Sequence, residues 1–423
     1  PFTRYIPREQ LIRDQEDMDG DFYGIGVQFS ILRDTVMVIK VLDNGPSKKA
    51  NLLGGDRIIV VDGQNFTGED INNDKVMNTL RGKRGEKVEL TIFRKNKGKI
   101  KKTLYRDVIP LKSIESAYLI KSSIGYIKLD KFSATTHHEL KEAILMLKDK
   151  GANKLILDLR NNGGGYLQQA VDVSNEFLEK NFEIVSTGGK YRKKQTYFSN
   201  KKGLFKKGDL VVLINENSAS ASEILAGAIQ DNDRGYIVGN RSFGKGLVQE
   251  QFLLKNGAAF MVTVAKYYTP SGRSIQKPYN NIDSIPSKKF KTKEGRDVYA
   301  EGGIMPDYEI YRDTMSNFES DFWIKNNTIL YEKAFDFADE NREYINSENY
   351  ELFLNKNQNQ LWAKITRLSK SKLEKDSMMV FKKDLLPFFK RMVLNHILST
   401  EEIIYFDNKD DEYLKKALKI LLI

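Results

Sequence analysis

Cysteine is absent from the 423 residues, which excludes disulfides, thiolate metal sites and cysteine nucleophiles and leaves the redox compartment open. Histidine is scarce: His137, His138 and His396 are the whole supply, and none lies between 139 and 395. Any serine nucleophile served by a histidine base would have to recruit one of these distant side chains. Adjacent His137 and His138 lack the i, i+4 spacing of a metal pair, and HELKE is not HExxH, so they read as polar first-turn residues and no metal site is expected. No apolar run approaches the ~18 residues of a membrane span. The opening PFTRYIPREQ also lacks the charged-then-apolar plan of a signal peptide. No internal repeat with a period of about 20 to 50 residues is visible.

What is present describes a folded chain: 40% hydrophobic and 11% aromatic residues, at a length that accommodates about two to four domains. The net charge of +11 concentrates in the lysine runs 94–102, 190–207 and 287–296. No helix-turn-helix, zinc-finger or RNA-binding aromatic signature accompanies them. They read as solvated surface with a weak attraction for acidic partners or anionic lipid, and nucleic acid is not an expected partner.

Four regions separate along the chain. Residues 1–20 are polar and look like the remnant of an upstream element. Residues 21–108 carry short alternating strands, GIGVQFSI, TVMVIKVL, DRIIVVDG and KVELTIFR, bounded by Gly, Asn or Asp. One helix interrupts them, with Asp74 as its expected cap and Val76, Met77 and Leu80 on one face. Residues 109–312 alternate strands with helices, the pattern of a largely parallel sheet in an α/β layer structure. From 313 to 423 the chain turns to amphipathic helices, the last beginning at Asp410 with Leu414, Ala417, Leu418 and Leu421 on one face.

Three short stretches carry candidate chemistry. NSASASE (217–223) alternates serines, and Ser220-Ala-Ser-Glu223 matches a capping box before ILAGAIQ. A helix cap is the simpler reading, but the same position sets a hydroxyl at the positive end of a helix beside free N–H groups. Lys245 is the one lysine between Gly208 and Lys255, and it sits between two glycines. Glycines on both sides let the backbone bring the amine against another segment, and apolar neighbours such as Phe243, Leu247 and Val248 would lower its pKa enough for a base. The P-loop spacing is missing. DLRNNGGGY (158–166) frees amides after a buried strand and offers half of an oxyanion hole, although a tight turn explains three glycines equally well.

Together DLRNNGGG, NENSASASEILAGAIQDNDRGYIVGNRSFGKGLVQ, YYTPSGRSIQ and GGIMPDYEI resemble the carboxyl-terminal processing proteases, tail-specific S41-type Ser-Lys peptidases, over roughly residues 21–310. The resemblance implies an α/β multidomain protein: a crotonase/ClpP-like α/β protease core with an inserted or preceding PDZ domain and a mainly helical C-terminal region. It puts the nucleophile on Ser220, the general base on Lys245, 25 positions later, and the residue orienting that base on Gln249. The amides of Ala221 and of Gly164 or Gly165 would form the oxyanion hole. Segment 21–108 resembles the family's PDZ domain, with Tyr23, Gly24, Ile25, Gly26 and Val27 as the carboxylate-binding loop. A substrate C-terminus would add as a strand there, its last side chain among Ile25, Val27, Val76 and Leu80. The same resemblance implies no cofactor, protein substrates with free apolar C-termini, an adaptor or activator, a homo-oligomer built through terminal helices, and a place in the periplasm or cell envelope. The family has helical sequence before its PDZ domain, and with only 20 residues here a missing upstream element is expected. Two rival readings stand beside it: a silent PDZ-type peptide-binding adaptor and a crotonase-like small-molecule hydrolase.

Overall fold

The computed structural model describes residues 3–42, 45–200, 202–278, 288–300, 302–311, 317–368, 376 and 378–422. The expected boundary at 312–313 and positions 201 and 287 of the lysine runs lie outside the described residues. The chain forms two compact units, and neither is continuous in sequence.

One unit gathers Pro1–Asp21, Pro110–Tyr311 and Asn408–Ile423. Its central sheet has six strands in the order Ile114–Lys121, Ile124–Leu129, Lys154–Asp158, Leu210–Ile214, Tyr236–Gly239 and Tyr308–Glu309. The first pair is antiparallel and every later pairing is parallel. Continuous apolar runs dictate this: Leu210–Ile214 is buried at every position, as strands covered on both faces must be. Helices Thr136–Asp149, Leu167–Asn175 and Ala221–Asp231 supply the layers, contributing Leu140, Ile144, Ala170, Val173, Leu225 and Ile229 to one core. A second, five-stranded sheet is built around the long strand Ala259–Tyr268. One edge of that strand carries Leu247–Leu253, and the other carries Arg4–Ile6 and then Glu183–Gly189, which pairs on with Arg192–Phe198.

Two expectations change here. Residues 3–20, read as the remnant of an upstream element, are integrated into this unit: Arg4–Ile6 pairs with Ala259–Met261, and Ile6 and Leu11 are buried with Ala259. The last helix, Glu412–Leu421, also belongs to it. Its cap is Asp411 rather than Asp410, accepting from the Leu414 N–H at 2.9 Å. Tyr413, Leu414, Ala417 and Leu421 are buried, so this apolar face is covered within the chain.

The other unit joins Phe22–Ile109 to Arg312–Asp407. Strands Val27–Leu32, Thr35–Val41, Arg57–Val61, Lys87–Arg94 and Gly98–Tyr105 form an antiparallel sheet in that order. Helix Asn73–Leu80 closes its core with Val76 and Leu80. Asn72, not Asp74, caps that helix, its Oδ1 accepting from the Lys75 N–H at 2.9 Å; the extended backbone of Asn72 marks the true boundary. Helices Asn317–Asn341, Tyr350–Lys356, Gln358–Thr366, Lys382–Asn395 and Thr400–Asp407 share a second core around Leu330, Phe337, Leu361, Leu385 and Phe389. Phe335 packs on Met37 and Ile39 of the sheet, so this helical region and the strand-rich segment fold as one body. His396 is fully buried there, its pKa pushed down to about 4 by burial and by the neighbouring Arg342 and Lys40 charges. Among the described residues no helix is long and apolar enough to cross a membrane.

Candidate active site

Parallel pairing decides where the site forms. Leu155–Asp158 lies in register with Leu210–Leu213, so the segments leaving the carboxyl ends of these strands emerge side by side. One is LRNNGGG, the other NENSAS. The flanking serines stitch them together. Ser218 Oγ donates to the Leu159 carbonyl (2.8 Å) and accepts from the Asn215 N–H (2.9 Å), and Ser222 Oγ donates to the Asn162 carbonyl (2.9 Å). Both are fully buried, whereas Ser220 is half-buried and lines a cavity.

Ser220 holds φ +57° and ψ −112°, a conformation that costs a side-chain-bearing residue about 1–3 kcal/mol and persists only where its surroundings over-determine it. They do. The expected capping box is present: the Ser220 N–H donates to Glu223 Oε2 (2.8 Å), and the Ser220 carbonyl accepts from the Glu223 and Ile224 N–H groups (2.9 and 3.0 Å) and from the Tyr267 hydroxyl (3.1 Å).

Glu223 reaches well beyond its own helix. It also accepts from Ser242 Oγ (2.5 Å), the Gly244 N–H (2.8 Å) and the Lys245 N–H (2.9 Å). Burial raises the pKa of this fully enclosed carboxyl, and the four donors pull it back down. The glycines beside Lys245 have separate reasons. Gly244 sits at φ +89°, and a Cβ on Gly246 would stand 2.9 Å from the Gln276 backbone nitrogen. The Tyr267 hydroxyl closes the arrangement, donating to the Lys245 carbonyl (2.7 Å) as well as to that of Ser220.

These constraints bring Ser220, Lys245 and Gln249 to the wall of one cavity of about 450 Å³, together with Ala221, Gly165, Leu247, Val248 and Tyr267. Burial lowers the pKa of Lys245; the charge of Arg4 lowers it further, and Glu223 opposes both. Phe243, expected among the apolar neighbours of the amine, is instead 47% exposed; Leu247 and Val248 supply that surface.

The glycine run closes the opposite wall. A Cβ on Gly164 (φ +100°) would stand 2.8 Å from the Ser220 Cβ, and one on Gly165 (φ +148°) 2.1 Å from the Phe132 carbonyl oxygen. The Gly164 N–H donates to Asn162 Oδ1 (2.9 Å). Gly165 and Ala221 both line the cavity, and Ala221 opens a helix, where backbone amides have no intrahelical partner. The histidines stand elsewhere: His137 bonds Glu176 (2.7 Å) and none of the three lines the cavity. Among the described residues no cluster of three or more His, Cys, Asp or Glu side chains could hold a metal ion.

Sequence reasoning missed several contributors. Gln15 and Met18, on helix Arg8–Asp19, line the cavity; their segment carried no signal beyond polarity. Tyr267 read as one aromatic in a strand. Glu223 was legible as a cap but not as the anchor of the lysine loop.

Residues 123–284 match the model of peptidase family S41, and residues 24–103 match that of the PDZ domain. The chain carries an S41 peptidase domain preceded by a PDZ domain. Among curated proteins it is 38% identical over 282 residues to a carboxy-terminal-processing protease of Bartonella bacilliformis, covering 65% of this chain and 64% of that one. It is also 38% identical over 284 residues to a carboxyl-terminal-processing protease of Synechocystis sp., covering 66% and 65%. The aligned part thus spans slightly less than two thirds of these relatives. Among solved structures, a photosystem II D1 C-terminal processing protease aligns with 73% of this chain and 78% of that chain at 27% identity and a TM-score of 0.41.

Within the PDZ domain and among the described residues, Val27–Leu32 pairs only with Thr35–Val41, which leaves its other side without a strand partner, next to Tyr23–Gly26 in sequence. Gly26 takes φ +77°, where a Cβ would stand 3.1 Å from Ile109, and its carbonyl accepts from the Leu42 N–H (3.0 Å). Ile25, Val76 and Leu80 are core residues at 2%, 0% and 4% exposure, while Tyr23 is exposed and Val27 half-buried.

Proposed function

We propose that the chain is a serine endopeptidase that recognises substrate C-termini on its PDZ domain and cuts by a Ser-Lys acyl-enzyme mechanism. The observation that carries this reading is the shared cavity of Ser220 and Lys245, with both backbones tied to one buried carboxylate. Neutral Lys245 takes the proton of the Ser220 hydroxyl as the oxygen attacks the scissile carbonyl. Gln249, on the same wall, orients the amine. The developing oxyanion is held by the Ala221 amide and, of the two alternatives in the glycine run, by that of Gly165, because the Gly164 amide is engaged with Asn162. Lys245 returns its proton to the leaving amine, and water then releases the acyl group from Ser220.

A substrate tail adds as a strand along Val27–Leu32, its carboxylate on the amides of Tyr23–Gly26. Its last side chain enters beside Val27, over the floor formed by Ile25, Val76 and Leu80. The family resemblance supports a catalytic part in the cell envelope, outside the cytoplasmic membrane, and an adaptor or activator protein as a partner.

The test is cleavage of an unstructured protein with a free apolar C-terminus by the wild type, Ser220→Ala and Lys245→Ala. Cleavage by the wild type alone supports the reading, and equal cleavage by wild type and Ser220→Ala overturns it. Tail binding without cleavage by any of the three would indicate an adaptor. Ester turnover without proteolysis would indicate a small-molecule hydrolase.

A further inference from the structure

We propose that the basic groove beside the catalytic cavity is a subsite for an acidic stretch of the polypeptide substrate, so that cleavage favours bonds flanked by Asp and Glu. This rests on the peptidase reading above and adds the substrate class. The groove, about 1160 Å³, lies between the hairpin Glu183–Gly189/Arg192–Phe198 and the strand Ala259–Tyr268. Lys190, Arg192 and Lys194 line it from the hairpin and Lys266 from the strand, all four exposed, and no carboxylate is among its lining residues. Arg192 pairs with Glu250; among the described residues Lys190, Lys194 and Lys266 have no carboxylate partner.

Two further features turn a charged surface into a peptide path. The floor, Val262–Ala265, is the part of its strand between the pairing of Met261 with Arg4 and that of Lys266 with Gly188. Among the described residues no strand pairs with this stretch on the groove side, where Thr3 Oγ1 accepts the Thr263 N–H (3.4 Å), so an extended chain can add along it beside Thr3. Leu247 lines both this groove and the cavity of Ser220 and Lys245, so the two adjoin. The catalytic cavity has no acidic lining residue either, and Lys245 is its one charged side chain. Apart from Glu250, which is paired with Arg192, the charged groups along this route are cations, so a carboxylate-bearing segment is attracted and a lysine-bearing one repelled. Exposed charges of this kind act through selection and capture, and salt screens them.

The experiment uses the full chain and three unstructured reporters with one apolar C-terminus. They differ only in a run of about six residues beside the bond cut in the neutral form: Asp/Glu, Asn/Gln or Lys. The expected kcat/KM is about tenfold higher for the acidic than for the neutral reporter, the scale of a few exposed ion pairs, and lowest for the lysine one. The preference shrinks at high salt and vanishes in Lys190→Glu/Arg192→Glu/Lys194→Glu, which cuts the neutral reporter at the wild-type rate.

Equal cleavage of acidic and neutral reporters, or a preference that survives in the triple variant, overturns the proposal. So does loss of binding to phosphatidylglycerol vesicles in that variant without any substrate preference in the wild type, which would make this a lipid-facing surface. If the neutral reporter is cut normally and the acidic one no better, this inference alone fails. If the neutral reporter is not cut, or Ser220→Ala cuts it equally, the peptidase reading fails and takes the inference with it.

Discussion

The backbone amides of Ser220 and Lys245, 25 residues apart, donate to the same atom, Glu223 Oε2, at 2.8 and 2.9 Å. Its other oxygen takes Ser242 Oγ and the Gly244 N–H, so one carboxylate fixes the nucleophile turn and the lysine loop together. All four partners are donors on the geometry described. A glutamine there must turn its NH₂ toward one pair of them, leaving buried groups mispaired. We expect Glu223→Gln to slow the reaction of Ser220 with a fluorophosphonate about a hundredfold and to cost about 2–3 kcal/mol of stability. Labelling rate and thermal unfolding check both. An unchanged labelling rate would mean that the carboxylate serves the fold alone.

Tyr267 makes the second bridge, through carbonyls rather than amides. Tyr267→Phe keeps the ring and removes the one donor facing both Ser220 and Lys245. We expect kcat to fall about tenfold with KM unchanged and stability to drop by about 1 kcal/mol. Steady-state kinetics beside a melting curve separate the two effects; a change confined to KM would contradict the positioning role.

The lysine sets the pH dependence. Burial first, then the charge of Arg4, lower the pKa of Lys245 below its ordinary 10.5. The neutral, base-competent fraction grows as pH rises through that lowered value, so activity is lost on the acid side and reaches a plateau on the alkaline side. Removing a nearby positive charge favours the protonated amine. Arg4→Gln should therefore shift the rising limb of kcat/KM to higher pH without lowering the plateau. A limb that stays in place would show that another group controls it.

The ease with which these parts are read from sequence differs for physical reasons. Ser220 and Lys245 stood out because the absence of nearby histidines and the single lysine between glycines restrict the chemistry, and the family register chose among three serines. Asn72 and Asp411 displaced Asp74 and Asp410 as caps because any Asn or Asp near a helix start offers the same acceptor; the backbone conformation one residue away decides which is used. Gln15 and Met18 reach the cavity through a strand pairing across more than 200 residues, Arg4 with Met261, and Tyr267 through the pairing of its strand with Leu247–Leu253, which local patterns do not record. The helical tail was legible as helix but not as two pieces belonging to different units.

The PDZ reading predicts an effect on the substrate side. Amidating the C-terminal carboxylate removes the charge that the Tyr23–Gly26 amides would hold while leaving the chain to be cut unchanged. We expect kcat/KM for a long substrate to fall about tenfold or more, and fluorophosphonate labelling of Ser220 to stay the same. Equal cleavage of free and amidated tails would remove the carboxylate from the recognition step.

A long-range support of the site runs through Asp411. Its carboxylate caps the last helix and also meets Arg160 Nη1 at 2.6 Å, and Arg160 in turn grips Asp158 at the end of the strand that leads into the glycine run. Arg160 and Asp158 are buried, and their mutual charge raises the pKa of the first and lowers that of the second. Arg160 keeps Asp158 when Asp411 is lost, so Asp411→Ala does not strand an unpaired buried cation. It removes a cap, worth about 1 kcal/mol, and a partly buried pair that contributes a comparable amount. We expect about 2 kcal/mol of destabilisation. We also expect the last helix to exchange its amide hydrogens faster than the strand Leu210–Ile214, against which it packs. Asp410→Ala, one residue away and outside both interactions, should leave stability and exchange unchanged. If the two alanine variants behaved alike, the Arg160 contact would carry no weight in holding the glycine run.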